Sequence, residues 1–228
     1  MLNRPEVINY FIKRFGYRRY LEIGVEAGNT FNAVEATAKF AVDPHFRIAR
    51  DALRGESFAM TSDAFFNEHR EEIFDIVFID GLHTFEQSLR DFASAMACVS
   101  KTGVILVDDC NPSDYLASIR DHDLSRKLKE QQGVKDRNWM GDVYKTVLFI
   151  NDHFGNVSLS YINDTMGIVA IWFEPRPVVP FFRSIEDIAH CDFADFRGKI
   201  FPNLPKRSLA EIGDSIFFCQ KAGMSPST

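Results

Sequence analysis

The sequence predicts an α/β fold, in which a doubly wound, mostly parallel sheet carries helices on both faces. Short apolar segments of strand length alternate along the chain with longer segments of helical periodicity. Residues 74–80, FDIVFID, form a continuous apolar run of the kind that is buried on both faces of a sheet. Two adjacent strand-like segments, 157–162 and 167–173, are joined by a short Asn163-Asp164 turn, which indicates an antiparallel hairpin at the sheet edge.

The first half of the chain supplies most of the predicted parallel sheet. Helix 3–15 begins with a capping box of Asn3 and Glu6, and helix 84–99 with a second pair, Thr84 and Gln87. A further helix is predicted over residues 30–38. The strands are predicted at 20–24, 40–43, 57–61, 74–80 and 103–107.

The second half begins with a polar, partly helical stretch, 111–140, which we interpret as a cover over the functional site and name the cover segment. A helix over 142–153 precedes the hairpin. We expect one domain over residues 1–175, opening with an N-terminal helix within 1–18. Residues 176–228 are predicted to be a helical extension that covers the substrate or, because it is rich in Phe, forms a homodimer contact.

Composition excludes several classes of protein. The net charge of −6 leaves no general footprint for nucleic acid. No apolar run approaches the roughly 20 residues that span a bilayer, and the amino terminus lacks the apolar stretch of a signal peptide, so a cytoplasmic protein is expected. The four cysteines are widely spaced, which argues against a structural zinc site and against disulfides.

A glycine-bearing turn follows the first predicted strand. Gly24 and Gly28 allow the backbone to turn tightly and to approach a ligand, and Asp43 ends the next strand, where an acidic side chain typically receives ribose hydroxyls. Glu22 and Glu26 flank Gly24 and would repel a pyrophosphate. S-adenosylmethionine (SAM) carries a sulfonium and an ammonium instead of phosphate, so an acidic rim favours it over a dinucleotide.

Acidic residues recur at the ends of the later strands. Because parallel strands direct their carboxyl ends to one edge, these side chains are expected to border one ligand site. A single Asp at such a position is often only a helix cap, but the whole series is not easily explained by capping. The series comprises Asp43, Asp63, Asp80, Asp108 and Asp109.

These motifs resemble those of the class I SAM-dependent methyltransferases, which have a Rossmann-like fold. The runs are E-I-G-V-E-A-G-N-T, A-V-D-P, F-D-I-V-F-I-D-G-L-H-T-F and G-V-I-L-V-D-D, with W-M-G-D-V-Y-K over 139–145. The chain looks like the bacterial branch with a D-G-x-H-x-[YF] motif after the fourth strand. The resemblance covers roughly residues 20–173 and implies seven strands, the last antiparallel.

The resemblance also implies roles for individual residues. It places Glu22, Gly24 and Gly28 around the methionine part of SAM, Asp43 on the ribose, and Ser62 and Asp63 beside the adenine, and Thr30 is a further candidate for binding the cofactor. Asp80 and His83 are implied to lie near the sulfonium and the methyl acceptor. Catechol-type relatives bind Mg²⁺ at equivalent positions, but Cys110 replaces the Asn that follows their fifth-strand Asp.

Two devices could help the acceptor lose its proton. The first is a magnesium ion held by Asp80, Asp108 and Asp109, whose hard oxygens suit it. The second is His83 acting as a general base. The favoured function is O-methylation of a small-molecule hydroxyl, of a sugar or a secondary metabolite. The alternatives are a non-catalytic SAM-binding or scaffold protein and an NAD-type Rossmann oxidoreductase.

Overall fold

A computed structural model describes residues 1–223 and confirms the α/β class. One sheet has the strand order β3-β2-β1-β4-β5-β7-β6-β8. Strands β1 to β5 are mutually parallel, and β7 runs antiparallel to both β5 and β6. The strands are β1 Arg19–Ile23, β2 Ala38–Val42, β3 Glu56–Phe58, β4 Phe74–Ile79, β5 Val99–Val107, β6 Ser158–Ile162, β7 Val169–Trp172 and β8 Lys206–Arg207.

The helices pack on both faces of this sheet, as predicted. The α-helices are α1 Arg4–Phe15, α2 Asn29–Ala33, α3 Ser62–Glu68, α4 Phe85–Cys98, α5 His122–Gln131, α6 Tyr144–His153, α7 Ile185–His190, α8 Phe193–Asp195 and α9 Leu209–Gly223. Short helical turns span Arg50–Ala52, Phe196–Ile200 and Phe201–Asn203. The capping box of Asn3 and Glu6 at the start of α1 is confirmed.

The sheet has eight strands, so the expected count of seven is wrong. The additional strand, β8, comes from the C-terminal extension and pairs in parallel with β6. The amides of Tyr161 and Asn163 donate to the carbonyls of Pro205 and Arg207. The hairpin is therefore not the sheet edge, because the extension satisfies the backbone groups that an edge strand would expose.

Helix α2 is much shorter than the segment 30–38 predicted for it. The side-chain amide of Asn9 donates to the Ala33 carbonyl at 3.0 Å, and its oxygen accepts from the Glu35 amide at 2.8 Å. This bridge satisfies backbone groups that a longer helix would have paired internally, and it turns the chain toward β2. A contact with α1 thus overrides the local helical pattern.

Two hydrophobic cores lie on opposite faces of the sheet, and the extension contributes to both. Phe196 is fully buried against the face that also carries α4 and α6, whereas Ile212 and Ile216 of α9 are buried on the α1 face. Phe181 stays 39% exposed. Part of the Phe content of the extension therefore covers the chain's own sheet, whereas Phe217 and Phe218 stay 37% and 69% exposed. The homodimer stays a prediction.

Within residues 1–223, no helix combines the length and the apolar character needed to cross a membrane.

Candidate active site

A pocket of about 710 Å³ lies at the carboxyl ends of the parallel strands, where the sequence places the ligand site. Eight of the predicted site residues line the pocket, whereas Gly28, Asp108 and Asp109 do not. Those that line it are Glu22, Gly24, Thr30, Asp43, Ser62, Asp63, Asp80 and His83.

The glycine turn brings the ends of β1 and β4 into contact. Gly24 has a φ of 83°, and a Cβ atom there would lie 1.9 Å from the carbonyl oxygen of Asp80. Gly28, at the start of α2, has a φ of 73°. Both positions favour glycine because their φ angles lie in the left-handed region. Gly28 shapes the turn without lining the pocket.

Asp43 organises this turn from the end of β2. Its Oδ2 accepts hydrogen bonds from the amides of Val25 at 2.9 Å and Glu26 at 2.8 Å, and its Oδ1 accepts from the amide of His45 at 2.7 Å. Oδ1 accepts only one of the two bonds that it can take, so the residue can still receive a hydroxyl from the pocket. Asp43 is thus both a brace for the turn and a candidate ligand for ribose.

A polar network borders the pocket beyond β3. The side-chain amide of Gln87 donates to Ser62 Oγ at 3.2 Å, to Asp63 Oδ1 at 3.3 Å and to Asp91 Oδ1 at 2.9 Å. The capping box predicted for Thr84 and Gln87 is therefore wrong: Gln87 faces the pocket and Thr84 makes no capping bond.

Asp91 is a pocket residue that the sequence analysis missed. Its side chain is only 1% exposed, and its Oδ2 has no hydrogen-bond partner among the described residues. Burial raises the pKa of this carboxyl group above its usual value. It lies one helical turn after Gln87, on the same face of α4, and helical spacing was the one available signal.

Glu22 is buried at the end of β1, beside the glycine turn, and accepts a hydrogen bond from the hydroxyl of Tyr20. Burial raises the pKa of Glu22 to about 8, and the nearby Asp80 carboxylate adds to the effect. A cation bound in the pocket would relieve this cost, which agrees with the expected place of the methionine ammonium.

His83 lies between two carboxylates at the other end of the pocket. Its Nε2 is 3.3 Å from Asp80 Oδ1 and 3.1 Å from Asp109 Oδ2, while its Nδ1 donates to the Trp139 carbonyl at 2.9 Å. Burial alone would lower the pKa of His83, but the hydrogen bond to Asp80 and the charge of Asp109 raise it to about 9. In turn, burial and the neighbouring Asp108 raise the pKa of Asp109 to about 8.

The segment 139–145 braces His83. The Trp139 ring stacks on the imidazole with centroids 4.8 Å apart. Gly141 has a φ of 58°, and a Cβ atom there would lie 1.9 Å from the His83 carbonyl oxygen. Asp142 caps α4 by accepting from the Phe85 amide at 2.8 Å. Trp139 and His122 place part of the cover segment on the pocket wall.

Arg4 is the second pocket residue that sequence reasoning missed. Its Nε donates to Asp108 Oδ2, and its Nη2 lies 3.5 Å from Asp80 Oδ2. The guanidinium therefore bridges the ends of β4 and β5. Burial alone would lower the pKa of Arg4, but these two carboxylates raise it above its ordinary value.

The structure brings together two of the three carboxylates predicted to hold magnesium, and the metal stays a prediction. Asp108 is engaged by Arg4, so the groups that come together are Asp80, His83 and Asp109, with one ligand atom from each within 4.8 Å of the others. Cys110 is fully buried and directs its thiol at the Val107 and Asp108 carbonyls. It adds no ligand for a hard cation.

Comparisons with known proteins bear on the same region. Residues 21–110 match the family model described as "Methyltransferase domain". No curated protein gives a significant match.

Similar solved structures include three that this chain covers over most of their length. The cofactor-bound Rv0187 from MTB has 18% identity, covering 77% of this chain and 83% of that one, with a TM-score of 0.54. The SAH-bound methyltransferase PaMTH1 from Podospora anserina has 13% identity, coverage of 76% and 80%, and a TM-score of 0.52. An O-methyltransferase from Bacillus cereus in complex with SAH has 14% identity, coverage of 76% and 83%, and a TM-score of 0.51. Residues 21–110 therefore match a methyltransferase domain, and the chain shares the fold of these solved structures.

Proposed function

We propose that this chain transfers the methyl group of SAM to a hydroxyl of a small molecule. The observation that carries the proposal is the placement of His83 in the pocket wall: Trp139 fixes Nδ1 as the donor, and Nε2, between Asp80 and Asp109, is the nitrogen that exchanges a proton. An alcohol is a poor nucleophile until it loses its proton, whereas amines attack a sulfonium unaided. A positioned base therefore favours O-methylation.

The reaction is an in-line displacement. The acceptor oxygen forms a bond to the methyl carbon as the carbon–sulfur bond breaks, and the bonding electrons leave with sulfur in neutral S-adenosylhomocysteine (SAH). The hydroxyl proton goes to Nε2 of a neutral His83, and Asp80 and Asp109 stabilise the imidazolium that results. The chain's contribution is alignment of the three atoms and removal of the proton.

At the cofactor side, the proposal assigns the methionine part to the turn of Gly24 and the buried Glu22. The ribose hydroxyls are assigned to Asp43, and the adenine to the region of Ser62 and Asp63. All of these residues line one continuous pocket.

Calorimetric titration with SAM and with SAH tests the cofactor assignment. We expect micromolar binding that Asp43→Ala abolishes. Asp51→Ala is the matched control, because Asp51 is an exposed acid that does not line the pocket. No binding of either ligand by the unmodified chain would contradict the proposal.

Incubation with SAM and a panel of sugars, phenols and amines tests the acceptor class. We expect SAH to form with hydroxyl acceptors and to depend on His83. Turnover restricted to amines would overturn the O-methylation proposal and leave the cofactor assignment intact.

A further inference from the structure

The acceptor side of the pocket concentrates negative charge. Asp80, Asp108 and Asp109 lie at the ends of the adjacent strands β4 and β5, and the last two are buried. Carboxylates this close repel one another, and burial makes each charge costly unless a cation compensates it. The site therefore needs positive charge, whichever acceptor it takes.

Arg4 supplies positive charge between the ends of β4 and β5. Its guanidinium contacts Asp108 and is 3.5 Å from Asp80, so one group spans both strand ends. Arginine keeps its charge at any pH at which proteins fold, and its planar fork suits two carboxylates at once.

The helix that carries Arg4 is firmly anchored. Its capping box fixes the first turn, and the Leu2 amide donates to the Asp164 carbonyl at 2.6 Å. Val7, Ile8 and Phe11 on the same helix are fully buried in the core. Arg4 is thus held at the strand ends by the packing of α1 as well as by its own ion pairs.

Two further carboxylate oxygens, Asp80 Oδ1 and Asp109 Oδ2, contact His83. The buried Cys110 thiol points at the Val107 and Asp108 carbonyls and not at these carboxylates. A divalent cation bound by Asp80, His83 and Asp109 would lie beside the Arg4 guanidinium and be repelled by it.

We propose that Arg4 takes the place of a divalent cation at the Asp80–Asp108 pair, so that this chain holds its acceptor side in order without a metal. The inference rests on the proposed methyl transfer and deepens it: Arg4 is a positioning residue that acts through the two carboxylates. Removal of its charge should uncover a site for a hard divalent cation.

Titration with Mn²⁺ alone, followed by electron paramagnetic resonance, tests the inference without an acceptor. We expect no binding by the unmodified chain up to about 1 mM and binding at least about tenfold tighter by Arg4→Ala. Arg4→Lys keeps a positive charge and should behave like the unmodified chain. The matched control is Arg14→Ala, which removes an arginine of the same helix whose partner, Asp214, is on the surface.

Binding of Mn²⁺ by the unmodified chain below about 1 mM would overturn the inference. An Arg4→Ala variant that binds Mn²⁺ no more tightly than the unmodified chain would also overturn it. If Arg4→Ala fails to fold, Arg4→Gln, which removes the charge but keeps a polar side chain, provides the same test. SAM titration of the same samples separates the proposed methyl transfer from the proposed role of Arg4. Absence of SAM binding by the unmodified chain would contradict methyl transfer, whereas Mn²⁺ affinity tests only the role of Arg4.

Discussion

The two ends of the pocket hold their carboxylates in different ways. At the cofactor end, formed by the turn 24–28, Asp43 and the start of α3, the Asp43 carboxylate accepts from three backbone amides, none more than 18 residues away. The acceptor end consists of Asp80, His83, Asp108 and Asp109. There, the charge of Asp108 is compensated by Arg4, which is 104 residues away in the sequence. The first end is built from local backbone and the second from side chains that tertiary packing brings together.

The two ends therefore differ in how strongly their contacts depend on pH and on single side chains. Backbone amides are fixed partial charges that do not titrate, so the contacts that hold the Asp43 carboxylate should not depend on the ionisation of its partners. Ion pairs between side chains respond to pH and to single substitutions. The acceptor end is therefore where catalysis is expected to be sensitive.

Replacement of His83 by Ala is expected to have the largest effect. Loss of a positioned base should lower kcat by about 10²-fold to 10⁴-fold, while SAM affinity changes little because the cofactor end is untouched. Steady-state kinetics and calorimetry check both values. His190→Ala is the control, since His190 is exposed on α7. A His83→Ala variant with near-normal kcat would assign proton removal to another group.

Asp43→Asn should produce the converse pattern. The Asn side chain has one oxygen acceptor in place of two, and its NH₂ group would face backbone donors. We expect SAM affinity to fall about 10-fold to 100-fold, as for the loss of one or two hydrogen bonds to a charged group. The kcat at saturating SAM should change little. A large fall in kcat with unchanged affinity would show that the two ends are not separable.

Sequence reasoning succeeded where the determinants are local. The strand ends, the glycine turn and Asp43 follow from patterns within a few tens of residues, and eight of the eleven predicted site residues line one pocket. Arg4 could not be predicted, because nothing near residue 4 signals a partner more than 100 residues on. The same reason explains β8 and the early end of α2, since both depend on contacts with distant segments.

The pH dependence of turnover tests how the carboxylates of the acceptor end act on His83. The carboxylates raise the pKa of His83 to about 9, so His83 is protonated at neutral pH and kcat/KM should rise with pH toward that value. Asp109→Asn removes one of the charges that raise the pKa, so the midpoint should move to lower pH by about one unit. A pH–rate profile of each variant measures this shift. An unchanged midpoint would mean that the profile reports a group other than His83.

The smallest expected effect is a proton released when SAM binds. Glu22, with a pKa of about 8, is mostly protonated at pH 7, and the cationic charge of SAM favours its ionised form. Binding at pH 7 should therefore release a fraction of one proton, and affinity should rise as pH rises toward 8. Calorimetry in buffers of different ionisation enthalpy measures the release.

Glu22→Gln isolates that proton from those of His83 and Asp109, because it removes only the ionisation at the cofactor end. The same variant carries a stability test whose sign follows from the raised pKa. Since the folded state holds a proton that the unfolded state loses near pH 4.5, the free energy of unfolding should decrease as pH rises from about 4.5 to 8. Glu22→Gln should flatten this decline in urea titrations. If both the release and the decline survive the substitution, the proton does not come from Glu22, and the cofactor end is as free of titration as its backbone contacts suggest.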